Sequence, residues 1–148
     1  MTTETTIWLI LFLPLSAFII NGLIIRPFLN RYSSTSGIIT VLAIGTAFVL
    51  SLTVLSNMIM GGTDFSNEPV LWLQIGEFSL TIGILLNELT AIMLVVVTGV
   101  SLLIQIYSIG YMNGGPEDLE FGKSVYARYF GYMSLFTASM LGLVIASN

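Results

Sequence analysis

Four long apolar runs, none of which contains a charged residue, constrain this chain more than any other feature of its sequence. They extend over residues 7–25, 37–60, 89–109 and 129–146. A transmembrane helix needs roughly 20 mainly apolar residues, because it rises about 1.5 Å per residue through about 30 Å of hydrocarbon. Only 8% of the 148 residues are charged, against roughly 25% in soluble domains. The sequence therefore predicts an all-α membrane protein with four transmembrane helices, in a single transmembrane domain over residues 1–148.

The basic residues predict how these helices are oriented. Arg26 and Arg31 follow the first run, whereas Lys123 and Arg128 precede the fourth. A chain that crosses four times places both basic loops on one side of the membrane. Because Lys and Arg are enriched in cytoplasmic loops, we expect the N-terminus and the C-terminal end to lie outside. Arg128 is then predicted to be an interfacial anchor.

The two connections on opposite sides differ in character. Residues 70–75 and 78–82 are rich in β-branched and aromatic side chains and flank Gly76-Glu77. This pattern predicts a short β-hairpin, over about residues 70–83, on the outer membrane face between the second and third helices. Residues 113–127 contain Gly114-Gly115-Pro116 and an acidic cluster. That segment is predicted to be an exposed, partly disordered inside loop.

One face of the third run carries small and polar residues, which lie within about 100° of one another at about 100° per residue. They are Asn87, Ala91, Thr98, Ser101, Gln105 and Ser108. The functional interpretation is the lining of a hydrated polar pathway, but we favour helix packing, because membrane helices associate through such residues. Gln105, and Asn21 in the first run, each need a buried partner or water. Glu88 is expected to be a solvated carboxylate at a helix N-terminus, rather than a group for proton exit.

The other runs carry related patterns. Small residues in the fourth run recur at strict i, i+4 spacing and predict helix packing: Ser134, Ala138, Gly142 and Ala146. On this basis Gly142→Leu should disturb assembly, and Leu141→Phe, on another face, should be milder. The second run carries Ser36, Thr40, Ala43, Ala47 and Ser51. Pro14 should kink the first helix, because proline frees a backbone carbonyl.

Several chemistries are excluded on this chain by composition. It contains neither Cys nor His, so thiolate-ligated iron–sulfur clusters, His-ligated haem and the usual zinc sites have no ligands. No glycine-rich phosphate-binding motif occurs, and the net charge of −4 argues against nucleic acid, whose binding needs clustered Lys and Arg. The sequence predicts no catalytic, cofactor-binding or metal-binding residue on this chain.

The chain resembles a known family from Trp72 to its end. The matching segments are residues 87–100, 106–112, 126–130 and 135–148, and they are similar to the N-terminal region of the antiporter-like subunits of complex I, above all the subunit L, or subunit 5, family of NADH–quinone oxidoreductase. Residues 1–70 match as two helices of suitable length. The family often has Asp at the position of Asn87 and His at that of Gln105, so neither titratable group is present here.

The resemblance implies that the chain is the N-terminal portion of a proton-translocating subunit in a complex I-like NADH– or ferredoxin–quinone oxidoreductase. It would be the scaffold beside a proton channel whose pumping residues come after Asn148 in the family. Quinone, NADH, flavin and iron–sulfur clusters would be bound elsewhere in that translocase. Its partners would be lipid, other membrane subunits and the C-terminal channel segment, in the plasma membrane of a bacterium or an equivalent energy-converting membrane.

Two alternatives stay open at this point. Large subunits of multi-subunit Na⁺/H⁺ antiporters, membrane-bound hydrogenases and inorganic-carbon pumps share these motifs. In the other alternative the chain is a non-catalytic structural membrane protein that packs against a larger complex. Co-purification with a longer, lysine-containing membrane subunit would separate the structural protein from the complex I-like function and from the related transporters.

Overall fold

Helices form most of the chain. The computed structural model describes residues 3–25, 33–61, 65–66, 70–75, 78–112 and 122–146. The helices, in chain order, are α1 (Thr3–Ile19), α2 (Ser33–Ile59), α3 (Glu88–Met112) and α4 (Gly122–Ile145). A π-helical segment, Ile20–Ile25, continues α1. The α-helix passes through Pro14, and the wider π-helical turns begin only at Ile20.

The helices begin before the apolar runs do. The difference is largest for α4, which starts at Gly122, whereas the fourth run starts at Tyr129. Residues 122–127 are therefore helical, and the prediction that they belong to a disordered loop is wrong; residues 113–121 lie outside the described part. The physical reason is that hydropathy marks only the part of a helix that suits hydrocarbon. A helix can continue past the hydrocarbon into the more polar membrane interface, where residues such as Lys123 and Arg128 are favourable.

Three of the described helices are long and apolar enough to cross a membrane. They are Thr5–Ile25, Thr35–Ile59 and Glu88–Met112. Together they make this a multi-pass helical membrane protein. α4 is not among the three, because Lys123, Arg128 and several tyrosine, serine and glycine residues dilute its apolar character. The fourth crossing therefore stays a prediction.

Short strands connect α2 to α3. β2 (Val70–Ile75) pairs with β3 (Phe78–Ile82) in antiparallel register, with an irregularity between Leu71 and Leu73. β1 (Phe65–Ser66) pairs with β4 (Leu85–Leu86), so a second two-stranded pair lies at the base of the same connection. Ile84 also forms an isolated bridge with Ala146, just past the end of α4.

The four helices pack around a common core, in which α2 contacts each of the other three. Apolar side chains from every helix and from β4 form a buried cluster: Ile7, Ile10, Ala47, Val54, Met58, Leu86, Ala91, Leu94, Leu141 and Ile145. Leu141 is fully buried in this cluster. The expectation that Leu141 faces away from the packed side of the fourth helix is therefore wrong. Several buried polar side chains, among them Asn21, Thr40 and Gln105, lie outside this apolar cluster.

Buried polar groups between the helices

Asn21 is the centre of a hydrogen-bonded cluster between α1 and α2. It lies in the π-helical segment and is completely buried. Its Nδ2 donates to Thr40 Oγ1 at 2.7 Å, and reaches the backbone carbonyl of Ser36 at 3.5 Å. The Thr40 hydroxyl in turn donates to the same carbonyl at 3.0 Å. The prediction that Asn21 needs a buried partner is met by Thr40, in the neighbouring helix.

α4 completes this cluster. The Ser134 hydroxyl donates to the Phe130 carbonyl at 2.7 Å and lies 3.5 Å from Thr40 Oγ1. Gly131 allows α1 to come close, because a Cβ atom there would lie 3.8 Å from both Asn21 Cβ and Gly22 N. Three helices thus meet at one polar level, and all the side chains involved are fully buried.

A second set of contacts ties α3 to α4 and α2. Ser108 Oγ and the Tyr129 hydroxyl are 2.9 Å apart, and the Ser108 hydroxyl also bonds to the Ile104 carbonyl. Tyr126 packs over Gly37, where an added Cβ would come within 2.5 Å of the Tyr126 hydroxyl and 3.1 Å of Ile109 Cγ1. Burial raises the pKa of Tyr126 above its ordinary value, so this hydroxyl stays neutral at physiological pH.

The buried face of α3 differs slightly from the predicted polar face. Its buried members are Thr90, Ala91, Leu94, Thr98, Gln105 and Ser108. Ser101 is only half-buried, at the edge of that face. The Thr98 hydroxyl bonds back to the Leu94 carbonyl at 2.6 Å, which satisfies it within its own helix. Gln105 is 1% exposed, and neither of its side-chain polar atoms has a partner.

Asn87 and Glu88 lie at the start of α3, not along its polar face. Asn87 Oδ1 accepts a hydrogen bond of 2.8 Å from the Thr90 amide, which is the geometry of an N-cap. The next residue, Glu88, is the first of the helix and is exposed. A carboxylate there interacts favourably with the helix dipole. An N-cap accounts for Asn87 without a titratable role.

The predicted stripe on α4 leaves the packed face as it proceeds. Ser134 and Ala138 are buried, Gly142 is half-buried and Ala146 is exposed. Residues spaced by four turn about 40° further at each step, because the helix has about 3.6 residues per turn. The packed face instead combines steps of three and four residues, along Phe130, Ser134, Thr137 and Leu141 and along Ser134, Ala138, Leu141 and Ile145. Arg128 lies exposed near the start of the helix.

Three of the residues that matter here were not predicted from the sequence: Thr90, Tyr129 and Thr137. Thr137 is 1% exposed and bonds to the Met133 carbonyl. A period of 3.6 applied to α4 would have found Thr137, since it lies one turn from both Ser134 and Leu141. Tyr129 gives no such signal, because a tyrosine near a helix end usually marks a membrane interface.

The arrangement is one of neutral hydrogen-bonding groups. Among the described residues, the buried polar side chains are Asn, Gln, Ser and Thr, with Tyr126 at the edge. No group of three potential metal-binding side chains occurs in that part of the chain. Amides and hydroxyls can bind water or one another, but they cannot carry a proton by changing their charge.

The sequence of this chain is similar to those of known proteins. Residues 72–130 match the family model described as NADH-ubiquinone oxidoreductase (complex I), chain 5 N-terminus. NADH-quinone oxidoreductase subunit L of Neisseria meningitidis serogroup B is 39% identical over 148 residues, which cover 98% of this chain and 20% of the relative. NAD(P)H-quinone oxidoreductase chain 5 of a Synechocystis species is 35% identical over 144 residues, 95% of this chain and 20% of that relative.

A chloroplast protein extends the same pattern. NAD(P)H-quinone oxidoreductase subunit 5 of Nephroselmis olivacea is 41% identical over 145 residues, 96% of this chain and 21% of the relative. The chain thus spans about a fifth of the length of the relatives it matches. Because these matches extend through α1 and α2 as well as through the segment of the family model, nearly the whole chain is similar to the N-terminal region of the subunit L and chain 5 family of NADH–quinone oxidoreductases.

Proposed function

We propose that this chain is the N-terminal portion of a proton-translocating membrane subunit in a complex I-like NADH– or ferredoxin–quinone oxidoreductase. The observation that carries this proposal is the match over nearly the whole chain to relatives named as quinone oxidoreductase subunits. Each of the relatives reported above has such a name, which favours this function over a Na⁺/H⁺ antiporter, a hydrogenase or a carbon pump. Quinone, NADH, flavin and iron–sulfur clusters would then be bound by other parts of the complex.

Within that subunit, the chain would act as a scaffold beside the proton channel. A path for protons needs ionisable groups or held water within the membrane. The four apolar runs have no Asp, Glu, Lys, Arg or His, and most of the buried hydroxyls bond to carbonyls of their own helices. Polar groups used in this way support packing. Its partners would be the C-terminal channel segment, other membrane subunits and lipid.

The proposed topology has four crossings, with the N-terminus outside the plasma membrane of a bacterium or an equivalent energy-converting membrane. Arg128 would lie at the inner interface, and Glu88 at the outer end of α3, where its exposure fits a solvated carboxylate. The pairing of β2 with β3 would then lie on the outer face. The packing of α4 against both α1 and α3 supports a fourth crossing in this arrangement.

Affinity purification from native membranes in a mild detergent tests the proposal. The chain should be recovered with a longer membrane subunit that has lysines within its spans, and the preparation should reduce quinone with NADH or reduced ferredoxin. Recovery of the chain alone would favour a structural membrane protein. Recovery with partners that lack any quinone reductase activity would favour one of the related transporters.

A further inference from the structure

Three fully buried side chains in the described part of the bundle have polar atoms without a hydrogen-bond partner. The atoms are Asn21 Oδ1, Ser36 Oγ and both Nε2 and Oε1 of Gln105. Each of these residues is at most 1% exposed. A buried polar group that lacks a partner is unfavourable, and more so in a membrane protein, where lipid offers no hydrogen bonds. Something must therefore satisfy these atoms.

The unpaired atoms of Asn21 and Ser36 belong to residues that already touch. Asn21 Nδ2 lies 3.5 Å from the Ser36 carbonyl oxygen. The amide oxygen and the serine hydroxyl therefore belong to neighbouring residues on two packed helices. Asn21 also belongs to a π-helical segment, and single π-helical turns are frequent at functional sites, because they rearrange backbone hydrogen bonds and redirect side chains.

Gln105 lies at the same level of the bundle. It precedes Ile109 by one turn of α3, and Ile109 Cγ1 is 3.1 Å from where a Cβ of Gly37 would lie. Further along the antiparallel pair, Leu102 faces Gly45. Gln105 therefore lies opposite the stretch of α2 between Gly37 and Gly45, which contains Thr40. Three of the four helices thus bring unpaired polar atoms to the level of the Asn21–Thr40 hydrogen bond.

The hydrogen-bonding capacity of these atoms identifies the ligand. Asn21 Oδ1 and Gln105 Oε1 accept, Gln105 Nε2 donates, and the Ser36 hydroxyl can do both. Water has two donors and two acceptor positions, and buried waters usually make about three hydrogen bonds to such groups. A cation would be opposed by the amide and hydroxyl hydrogens, and the described residues at this level provide no negative charge. The combination fits a neutral ligand that both donates and accepts.

We propose that Asn21, Ser36 and Gln105 hold internal water between α1, α2 and α3, with water bridging Asn21 Oδ1 and Ser36 Oγ. This inference depends only on the packing of the helices and goes beyond the proposed function, since a scaffold needs no hydrated interior. It gives this part of the chain a water-binding site made of neutral groups. The bound water links polar atoms that the protein leaves unpaired.

Water-edited solid-state NMR of the chain in lipid bilayers tests the proposal directly. With ¹⁵N in the side chains of Asn, Gln and Arg and in the backbone amides of Leu, magnetisation should pass from water to the side-chain amide groups of Asn21 and Gln105 at short mixing times. The exposed guanidinium of Arg128 is the positive control, and the backbone amide of the fully buried Leu94 is the negative control. Gln105 is one of two glutamines, Gln74 being the other, so Gln105→Leu assigns its signal.

A pair of serine variants on α2 makes the test specific. Ser36→Ala removes the unpaired hydroxyl, and the transfer from water to Asn21 should be lost. Ser51→Ala is the matched control, because Ser51 is equally buried but bonds to the Ala47 carbonyl at 2.9 Å; transfer to Asn21 should persist. The proposal is overturned if Asn21 and Gln105 receive no magnetisation in the unmodified chain while Arg128 does, or if Ser36→Ala and Ser51→Ala give the same transfer.

Discussion

At the scale of single residues, the Asn21–Thr40 hydrogen bond is a short, buried polar contact between two helices. Both side chains are fully buried, and the donor and acceptor are 2.7 Å apart. Inter-helical hydrogen bonds in membranes stabilise by about 1 kcal/mol, less than their burial suggests, because polar groups also find partners in the unfolded chain. Losing one partner, however, leaves the other buried and unpaired.

We therefore predict that Asn21→Leu and Thr40→Val destabilise the bundle individually and are coupled by about 1 kcal/mol. The coupling arises because either variant already removes the shared hydrogen bond. Unfolding in mixed micelles of increasing denaturing detergent, over the full double-mutant cycle, measures it. Asn57→Leu on the exposed side of α2 is the control. Strict additivity of the two changes would show that the contact does not form.

Gly37 is a residue whose lack of a side chain the packing requires. A Cβ atom there would meet the Tyr126 hydroxyl at 2.5 Å, Ile109 Cγ1 at 3.1 Å and Phe130 Cζ at 3.3 Å. Gly37→Ala should therefore cost about 1–3 kcal/mol of stability, as overpacking usually does, even though alanine favours helix by about 1 kcal/mol. Thermal unfolding in detergent, monitored by circular dichroism, provides the measurement.

Two variants control for the Gly37 prediction. Gly45→Ala, elsewhere on α2, meets only Leu102 Cδ1 at an ordinary contact distance of 3.7 Å, and should be neutral or stabilising. Tyr126→Phe removes the hydroxyl that makes the closest approach, so combining it with Gly37→Ala should recover part of the loss. Equal stability of the Gly37→Ala and Gly45→Ala proteins would contradict this account of the helix contact.

The sequence predicted part of the polar site at this scale. The cost of burial showed that Asn21 and Gln105 need partners, and Thr40 provides one for Asn21. No pattern along α2 indicated that Thr40, rather than Ala43 or Ala47, would meet Asn21. That choice depends on how each helix is rotated and shifted against its neighbour, which hydropathy does not encode.

At the scale of the helices, hydropathy was informative about apolar runs and poor at finding helix ends. Asn87 shows the missing signal for α3, because it caps the helix through the Thr90 amide and is a preferred residue for that role. For α4, Lys123 and Arg128 concealed an early start at Gly122. The stripe of four small residues failed for a geometrical reason, since a spacing of four does not match the helical period.

Because Leu141 is buried, Leu141→Phe is no longer expected to be a mild change. Leu141 is fully buried in the apolar core, so Leu141→Phe should cost about 1–3 kcal/mol through overpacking. A Cβ added at Gly142 would lie 3.7 Å from Leu11 Cδ1, so Gly142→Ala should be tolerated. Leu143→Phe, at an exposed neighbour, is the size-matched control. Detergent unfolding should rank Leu141→Phe as the least stable of the three. A lower stability for Gly142→Ala would instead indicate that the helix packs through the predicted stripe of small residues.

At the scale of the whole molecule, the number of crossings decides the topology. The chain lacks cysteine, so single cysteines at Asn67 and Gly114 can be labelled from either side of intact vesicles. In the proposed topology, Asn67 should react from outside and Gly114 from inside. The reason is that Arg26 and Arg31 follow α1, whereas Lys123 and Arg128 lie near the start of α4, and basic residues favour the inner side. Labelling of both from the same side would contradict the proposed arrangement.

A second cysteine measurement determines whether α4 crosses the membrane. A cysteine at Asn148 should react from outside if α4 crosses, and from inside, like one at Gly114, if it does not. The hydropathy of α4 alone does not place it among the spanning helices, but its buried face packs on α1, α2 and α3. Neighbouring helices can hold a less apolar helix in the membrane by burying its polar residues, as Ser134 and Thr137 are buried here.

In the proposed function, proton movement belongs to the whole assembly, and we predict that this chain alone, in liposomes, moves no protons. A path through about 30 Å of hydrocarbon needs titratable groups or a continuous file of water. The apolar runs have no titratable Asp, Glu, Lys or His. Water held at Asn21, Ser36 and Gln105 would occupy one level of the bundle, and beyond it the core is formed by apolar side chains such as Ile10, Leu94 and Leu141. An internal water confined in this way cannot connect the two sides.

The measurement uses liposomes with a pH-sensitive dye inside and an imposed membrane potential. The purified chain should give the same internal pH change as empty liposomes, while a protonophore gives the full response. Glu88→Gln tests the one carboxylate at the start of α3, which is exposed, and it should change nothing. A specific flux that Glu88→Gln abolishes would make Glu88 a proton carrier and would overturn the scaffold role. A flux that persists in Glu88→Gln but is lost in Ser36→Ala would instead show that the internal water extends across the bundle.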